Sequence, residues 1–269
     1  MWLPLAGYAL LLGVLALTHD MWRDEVRAFS ARFPGQAFRV SEKLDGLSLS
    51  IVYRDGALDH VATRGTGAVG ELVTDKVRHV IPELPQEIAL DGRVEVRGEA
   101  VMQRSTWTAY NAAHPDKTLT NPRSGAAGTL MQKDPEAAAA AGRLLRFWAF
   151  GADQDGAPLD VTALDAFEAA DQVVCANGEE VVAALRRIGE RRDGLDYDID
   201  GAVVRLHDPG AFDAAGSTAT EPRGAIAFKF PPEERTTKLL DIQVSIGRTG
   251  RATPFAVLEP VFVGGVTVV

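Results

Sequence analysis

A lysine followed two residues later by a carboxylate and then by glycine, Lys43-Leu-Asp-Gly46, is the run best equipped for chemistry. If residues 41–45 are extended, Ser41, Lys43 and Asp45 project from one face, while Glu42 and Leu44 point the other way. A strand lysine with a carboxylate beside it fits a nucleophile that attacks phosphorus. Its amine must then be unprotonated, and a free lysine near pKa ~10.4 has to be shifted down by burial or neighbouring cations. Taken alone, the run is equally what an exposed, salt-bridged lysine before a turn looks like.

The charged runs further along the chain are more specific when taken in order. Ala62-Thr-Arg-Gly65 closes a hairpin opposite the lysine, and Arg97-Gly-Glu99 lies in a strand. Asn121-Pro-Arg-Ser124 precedes a glycine-rich turn, Asp198-Ile-Asp-Gly201 leads a strand ending in Arg205, and Ala227-Phe-Lys-Phe230 is another strand. These runs set the cations Arg64, Arg123, Arg205 and Lys229 and the carboxylates Asp45, Glu99 and Asp200 at or near strand ends. A nucleotide phosphate with a divalent metal needs that combination: cations for charge developing on phosphorus and hard oxygens for magnesium. For any one of these residues a surface ion pair explains the charge as well. For the ordered set it does not.

The elements that must hold these residues read as a mixture of strands and helices. Apolar residues at helical spacing predict a helix over Met21–Phe33, and further helices over Glu71–Val80, Thr106–Ala113 and Glu179–Arg192. The stretch from Asn121 opens with turn chemistry and becomes helix-compatible, and the alanine-rich Pro135–Gly142 reads as a solvated helix. Alternation predicts strands over Phe38–Leu44, Leu47–Tyr53, Leu58–Thr63, Val94–Met102, Leu144–Phe150, Gly201–Leu206 and Ala225–Phe230. Arg54-Asp55-Gly56 is the turn of a β-hairpin. After Pro231-Pro232 the pattern becomes strands only, Lys238–Ile246 and Pro254–Val263. The double proline marks a boundary, giving an apolar segment 1–18, an α+β domain 19–232 and a partial all-β unit 233–269.

Composition bounds the rest. A chain of 269 residues, 46% hydrophobic and 24% charged, buries a real core and is neither wholly disordered nor a polytopic membrane protein. Acidic residues outnumber basic ones, 37 to 28, which argues against a surface coated in nucleic-acid-binding charge but leaves room for a local basic groove. The single cysteine, Cys175, excludes an intrachain disulfide and a cysteine-cluster zinc site, and points to a reducing, cytoplasmic setting. The five histidines show no metal-ligand spacing. Residues 1–18 carry no charged side chain and sit at the lower edge of membrane-spanning length. No Lys or Arg precedes the run and no cleavage site closes it. A membrane anchor, a packed helix and a displaced start site all stay open.

The ordered runs together resemble the adenylation (nucleotidyltransferase) domain of bacterial NAD-dependent DNA ligases over roughly residues 20–269. The matching runs are Lys43–Gly46, Ala62–Gly65, Arg97–Glu99, Asn121–Leu130, Asp198–Val204 and Ala227–Phe230. After them, Ile246-Gly-Arg-Thr-Gly250 and the strand-rich sequence from Thr253 resemble the opening of that family's OB fold. The resemblance implies an ATP-grasp-like α+β domain of antiparallel sheets with flanking helices around a nucleotide cleft, then a truncated OB unit. It makes Lys43 the residue that attacks the α-phosphate of NAD, forming lysyl-AMP and releasing nicotinamide mononucleotide. AMP then passes to the 5′-phosphate of a nick in double-stranded DNA, for sealing in replication and repair. Asp45 and Lys229 join Lys43 as catalytic residues. Glu42, Arg64, Glu99, Arg123 and Arg205 bind the nucleotide with them, and Asp200 and Glu99 are candidates for Mg2+. The chain is expected to act as a monomer.

Four positions depart from the family pattern. Ser41 stands where glutamate is usual, with Glu42 next to it; Arg205 replaces a lysine; Met131 replaces a basic residue; Leu72 replaces an acidic one. No counterpart is visible of the family's N-terminal domain for the nicotinamide half, the rest of the OB fold, the zinc finger, the helix-hairpin-helix module or the BRCT domain. Two alternatives therefore stand: an ATP-dependent polynucleotide ligase or capping-type nucleotidyltransferase, and an inactive nucleotide-binding module.

Overall fold

A computed structural model describes residues 22–65, 69–218, 222–230, 235–263 and 266–269, so the apolar segment 1–18 lies outside the described residues. The chain divides into two units at Phe230/Pro231. Among the described residues no helix is long and apolar enough to cross a membrane.

Two antiparallel sheets build the first unit. One contains β1 (Phe38–Leu44), β7 (Gln172–Cys175), β8 (Ile199–Leu206) and β9 (Ala225–Lys229), in the order β7-β1-β8-β9. The other contains β2 (Leu47–Arg54), β3 (Ala57–Thr63), β4 (Arg93–Val101), β5 (Arg146–Gln154) and β6 (Ala157–Leu159), in the order β3-β2-β4-β5-β6. Alternation gives each sheet one apolar face. Phe38, Val40, Val204 and Leu206 pack with Val26 and Phe29 of helix α1 (residues 22–31) and with Val181, Leu185 and Ile188 of α6 (Gly178–Arg191). Leu49, Ile51, Tyr53, Val94 and Val96 pack against α2 (Thr74–Val80), α4 (Pro122–Leu130) and α5 (Pro135–Ala140), through Val77, Val80, Ala126, Leu130 and Ala138. Each fully buried side chain of this kind contributes about 1.5–3 kcal/mol. The α+β class and its antiparallel sheets are as the sequence implied.

Several boundaries differ from the sequence reading, for local reasons. The helix expected from Glu71 begins at Thr74, because Leu72 first bridges to Ala62 at the edge of β3. The alanine-rich helix is not simply solvated: Ala138 is buried in the core of the second sheet. Leu145 is buried ahead of β5, and that strand runs on past Gly151 to Gln154, further than the expected Phe150. Strands β6 and β7 and the helix Pro209–Ala215 (α7) are additional to the expected elements. In the hairpin joining β2 and β3, Asp55 and Gly56 both take positive φ, 47° and 83°, the geometry that turn requires.

The second unit contains β10 (Leu239–Ile246) paired with β11 (Ala252–Leu258), and β12 (Val261–Val263) paired with β13 (Val266–Val268). The single strand expected over Pro254–Val263 is two. Pro260 lies in the break between them, and a proline has no N–H to give a ladder.

The register of β1 on β8 matters most for the site. Lys43 stands opposite Gly201, yet Leu44 stands opposite Ile199, so Asp200 is one residue too many and bulges from the ladder. Gly201 is required there, since a Cβ would lie 2.1 Å from the Phe228 carbonyl oxygen of β9. Gly201→Ala is expected to lose about 2–3 kcal/mol in urea unfolding. Gly194→Ala, whose added carbon meets nothing within 4 Å, is expected to stay within about 0.5 kcal/mol of the parent.

Candidate active site

The bulge at Asp200 puts its carboxylate on the face that carries Lys43. The Lys43 Nζ donates to both oxygens, at 2.6 and 2.7 Å. Both side chains are mostly buried, 29% and 27% exposed. Lys229 stands across Gly201 from Lys43, so directly opposed residues place Lys43, Gly201 and Lys229 in one row on one face. Asp45 follows the end of β1, where its N–H donates to the Asp198 carbonyl at 2.9 Å.

Arg123 reaches Asp45 at 2.7 Å. It sits in the first turn of α4, where Asn121 caps the helix by accepting the Ser124 N–H at 2.8 Å and Pro122 takes a position whose N–H is not needed. The small residues after it are a packing demand, for Gly125 lies under Met102 and Ala126 is fully buried. The motif is thus a capped helix start that aims one arginine at Asp45.

Glu99 comes from the second sheet, on the polar face that carries Ser48, Ser50, Arg97 and Glu95. Its carboxylate accepts from the Ser48 hydroxyl at 2.6 Å. Burial raises its pKa, only partly offset by the Ser48 and Gly46 hydrogen bonds and by the charges of Lys43 and Arg123. Asp45 is also raised, chiefly by burial; Arg123 and Lys43 pull it down while Asp200 pushes it further up. The Lys43–Asp200 and Arg123–Asp45 contacts, with these mutual influences, bring Lys43, Asp45, Glu99, Arg123 and Asp200 together. Arg64 is exposed beyond β3, its N–H on the Ser48 carbonyl at 3.0 Å, with β2 lying between it and Glu99.

Two of the sequence-derived residues lie elsewhere. Arg205 is paired with Arg39, four residues along β8 from Gly201, which at about 3.3 Å per residue is about 13 Å from the lysine row. Burial lowers its pKa first, and Arg39 lowers it further while Asp160 opposes. Arg39 itself binds Asp160 and Gln172 at 3.2 Å. Glu42 does not face the side of β1 that carries Lys43. Its fully buried side chain accepts from Arg191 at 2.5 Å and from the Tyr197 hydroxyl at 2.7 Å, as strand alternation demands. The sequence reading also expects cations around Lys43, whereas the group in direct contact with its Nζ is a carboxylate. Met131 and Leu72, two of the departures, are 43% and 67% exposed.

Sequence reasoning misses Ser48, Tyr197 and Arg191. Ser48 has a signal, a polar residue alternating with Leu47 and Leu49; Tyr197 and Arg191 have none, since their partner is far away in sequence. For a metal, Asp200 and Glu99 offer hard oxygens of the right kind. Both Asp200 oxygens are already held by Lys43, and among the described residues no three acidic, histidine or cysteine side chains converge. A magnesium ion fits here only by sharing substrate phosphate oxygens and water, which is its usual manner.

The raised pKa of Glu99 fixes a sign. Its folded value lies above the unfolded one, near ~4.3, so its contribution to stability is present at low pH and lost as pH rises through the folded value. Glu99→Gln keeps the Ser48 contact without the charge. Its stability relative to the parent is expected to rise with pH from about 4 upward, measured by urea unfolding at a series of pH values.

Comparison with known proteins agrees with the motifs. Residues 14–233 match the model of the NAD-dependent DNA ligase adenylation domain, and residues 236–269 match that of the NAD-dependent DNA ligase OB-fold domain. The chain is 52% identical over 261 residues to DNA ligase 1 of Nocardia farcinica, covering 95% of this chain and 39% of that protein. A DNA ligase of Corynebacterium aurimucosum is 40% identical over 262 residues, covering 91% and 39%. The chain thus spans about 39% of the length of the curated relatives it matches. A solved mycobacterial DNA ligase D complexed with ATP and MES has a TM-score of 0.41 and 17% identity, over 72% of this chain and 54% of that one. The ordered motifs, their assembly around Lys43 and both family matches agree: the chain belongs to the NAD-dependent DNA ligase family, with its adenylation domain followed by OB-fold sequence.

Proposed function

We propose that this chain is the adenylation module of an NAD-dependent DNA ligase, acting through a covalent lysyl-AMP. The observation that carries the reading is the 2.6 Å contact between Lys43 Nζ and Asp200, with Lys229 in the same row. Attack on phosphorus needs the nitrogen lone pair, so a proton must leave Nζ. The Asp200 carboxylate, already hydrogen-bonded to it, is the acceptor at hand. The amine then attacks the α-phosphorus of the AMP half of NAD. An N–P bond forms, the P–O bond to nicotinamide mononucleotide breaks, and that mononucleotide departs with the electron pair.

Lys229 neutralises charge developing on the phosphoryl oxygens, and Arg123 with Asp45 closes one side of the site. Glu99 and Arg64 bind the nucleoside from the second sheet, whereas Arg205, about 13 Å along β8 from the lysine row, is set apart from the reacting phosphate. Magnesium, held by Asp200 or Glu99 together with phosphate oxygens, would supply Lewis-acid charge stabilisation. AMP passes next to the 5′-phosphate of nicked duplex DNA, and the adjacent 3′-hydroxyl displaces it to close the backbone. A cytoplasmic setting follows from that substrate.

Intact-protein mass spectrometry tests the reading. The chain is incubated with magnesium and either NAD or ATP, alone and with a relative's N-terminal domain added in trans. A gain of one AMP from NAD and not from ATP is expected, absent in Lys43→Ala. Lys229→Ala is expected to slow the gain by about 100-fold, the usual effect of removing one donor to a developing anion. A gain from ATP alone, or one that survives Lys43→Ala, would overturn it.

A further inference from the structure

A fully buried carboxylate next to the nucleophile needs a reason to be there. Glu42 alternates with Lys43 across β1, so its side chain lies beneath the sheet, away from the cleft. There it accepts from Arg191 at 2.5 Å and from Tyr197 Oη at 2.7 Å. Arg191, at the end of α6, also pairs with Asp171. The Asp171 carbonyl in turn accepts the Glu42 N–H at 3.1 Å. The Tyr197 ring lies against Trp148, centroids 4.9 Å apart, and Trp148 stands opposite Glu99 in the second sheet. Burial and the Glu42 carboxylate both keep the Tyr197 hydroxyl protonated.

Tyr197 is also the start of the segment that meets Lys43. The next residue, Asp198, receives the Asp45 N–H, and Asp200 receives the Lys43 ammonium. Glu42 therefore ties three things together from below: helix α6, the nucleophile's strand, and the chain leading into the Asp200 bulge. Apolar residues of similar volume generally stabilise a core at least as well as a buried ion pair, so the charge is better explained by position than by stability.

We infer that Glu42, Arg191 and Tyr197 form a positioning network that sets Lys43 Nζ on Asp200. The inference rests on the adenylation reading for its consequence, but its geometry stands without any nucleotide. Tyr197→Phe removes one hydrogen bond and keeps the ring against Trp148, so it is the milder variant; Glu42→Gln takes the charge away from Arg191 as well. The readouts are the pH profile of Lys43 acetylation by an amine-reactive ester, followed by peptide mass spectrometry, and the kinetics of AMP-adduct formation from NAD.

In Tyr197→Phe the Lys43 profile is expected to move, while that of exposed Lys133 stays. The saturating rate of adduct formation is expected to fall about tenfold, with half-saturating NAD within about twofold, because misplacement affects the reacting geometry and not binding. Glu42→Gln, where it folds, is expected to fall further. A lower melting temperature with an unmoved Lys43 profile and an unchanged saturating rate would make the network structural only and overturn the inference. If the parent forms no adduct at all, the adenylation reading fails, and the Lys43 profile in Tyr197→Phe still decides the positioning claim.

Discussion

One register shift governs the site. Because β8 carries one residue more than β1 between the Lys43 and Leu44 pairings, Asp200 leaves the ladder and meets the Lys43 ammonium with both oxygens. In an unbroken ladder, Asp200 would share its face with Ala202 and Val204, which are buried in the core. The bulge turns it to the side where Gly201 and Lys229 complete the row. The close packing of Gly201 on β9 keeps the bulge in place, since no other residue type fits against the Phe228 carbonyl.

The pairing is better understood as a device for position than as a source of stability. Desolvating an ammonium and a carboxylate largely offsets their attraction in a partly buried pair. The same holds for the carboxylates around it: Asp45 and Glu99 are both pushed toward their neutral forms by burial, and each is drawn back by a cation or hydroxyl that the fold supplies. The result is a space where charges are balanced against each other at short range. A phosphate entering it would meet Lys43 and Arg123 released from partners they already hold, with Lys229 beside them. That exchange is a natural way to bind an anionic substrate without leaving bare charge in its absence.

Much of this is legible in the sequence, and the failures have physical causes. The strand carrying Lys43 and the Asp55-Gly56 hairpin follow from period-two alternation and turn chemistry alone. The Asp155-Gly156 pair carries the same turn signal for β5 and β6, with φ of 51° and 82°, but β6 is only three residues long, too short for alternation to show it. Asn121-Pro-Arg-Ser124 shows turn residues, but its role as a helix cap depends on where the Ser124 N–H points. The direct contact of Asp200 with Lys43 is not legible in the sequence, because a β-bulge is invisible to alternation and it is the bulge that brings Asp200 in. Glu42 is expected among the nucleotide ligands only as the neighbour of Ser41, where the family has glutamate, and alternation already turns it away. Its partners Arg191 and Tyr197, some 150 residues distant, leave no local trace.

Lys43, held on Asp200 by the bulge, is the proposed nucleophile. The most direct measurement is tandem mass spectrometry of peptides from NAD-treated protein, under conditions that preserve an acid-labile phosphoramidate. AMP is expected on the nitrogen of Lys43 alone, with a much lower yield at that residue in Asp200→Asn at neutral pH. AMP on Lys229 or another side chain, or an undiminished yield in Asp200→Asn, would contradict it.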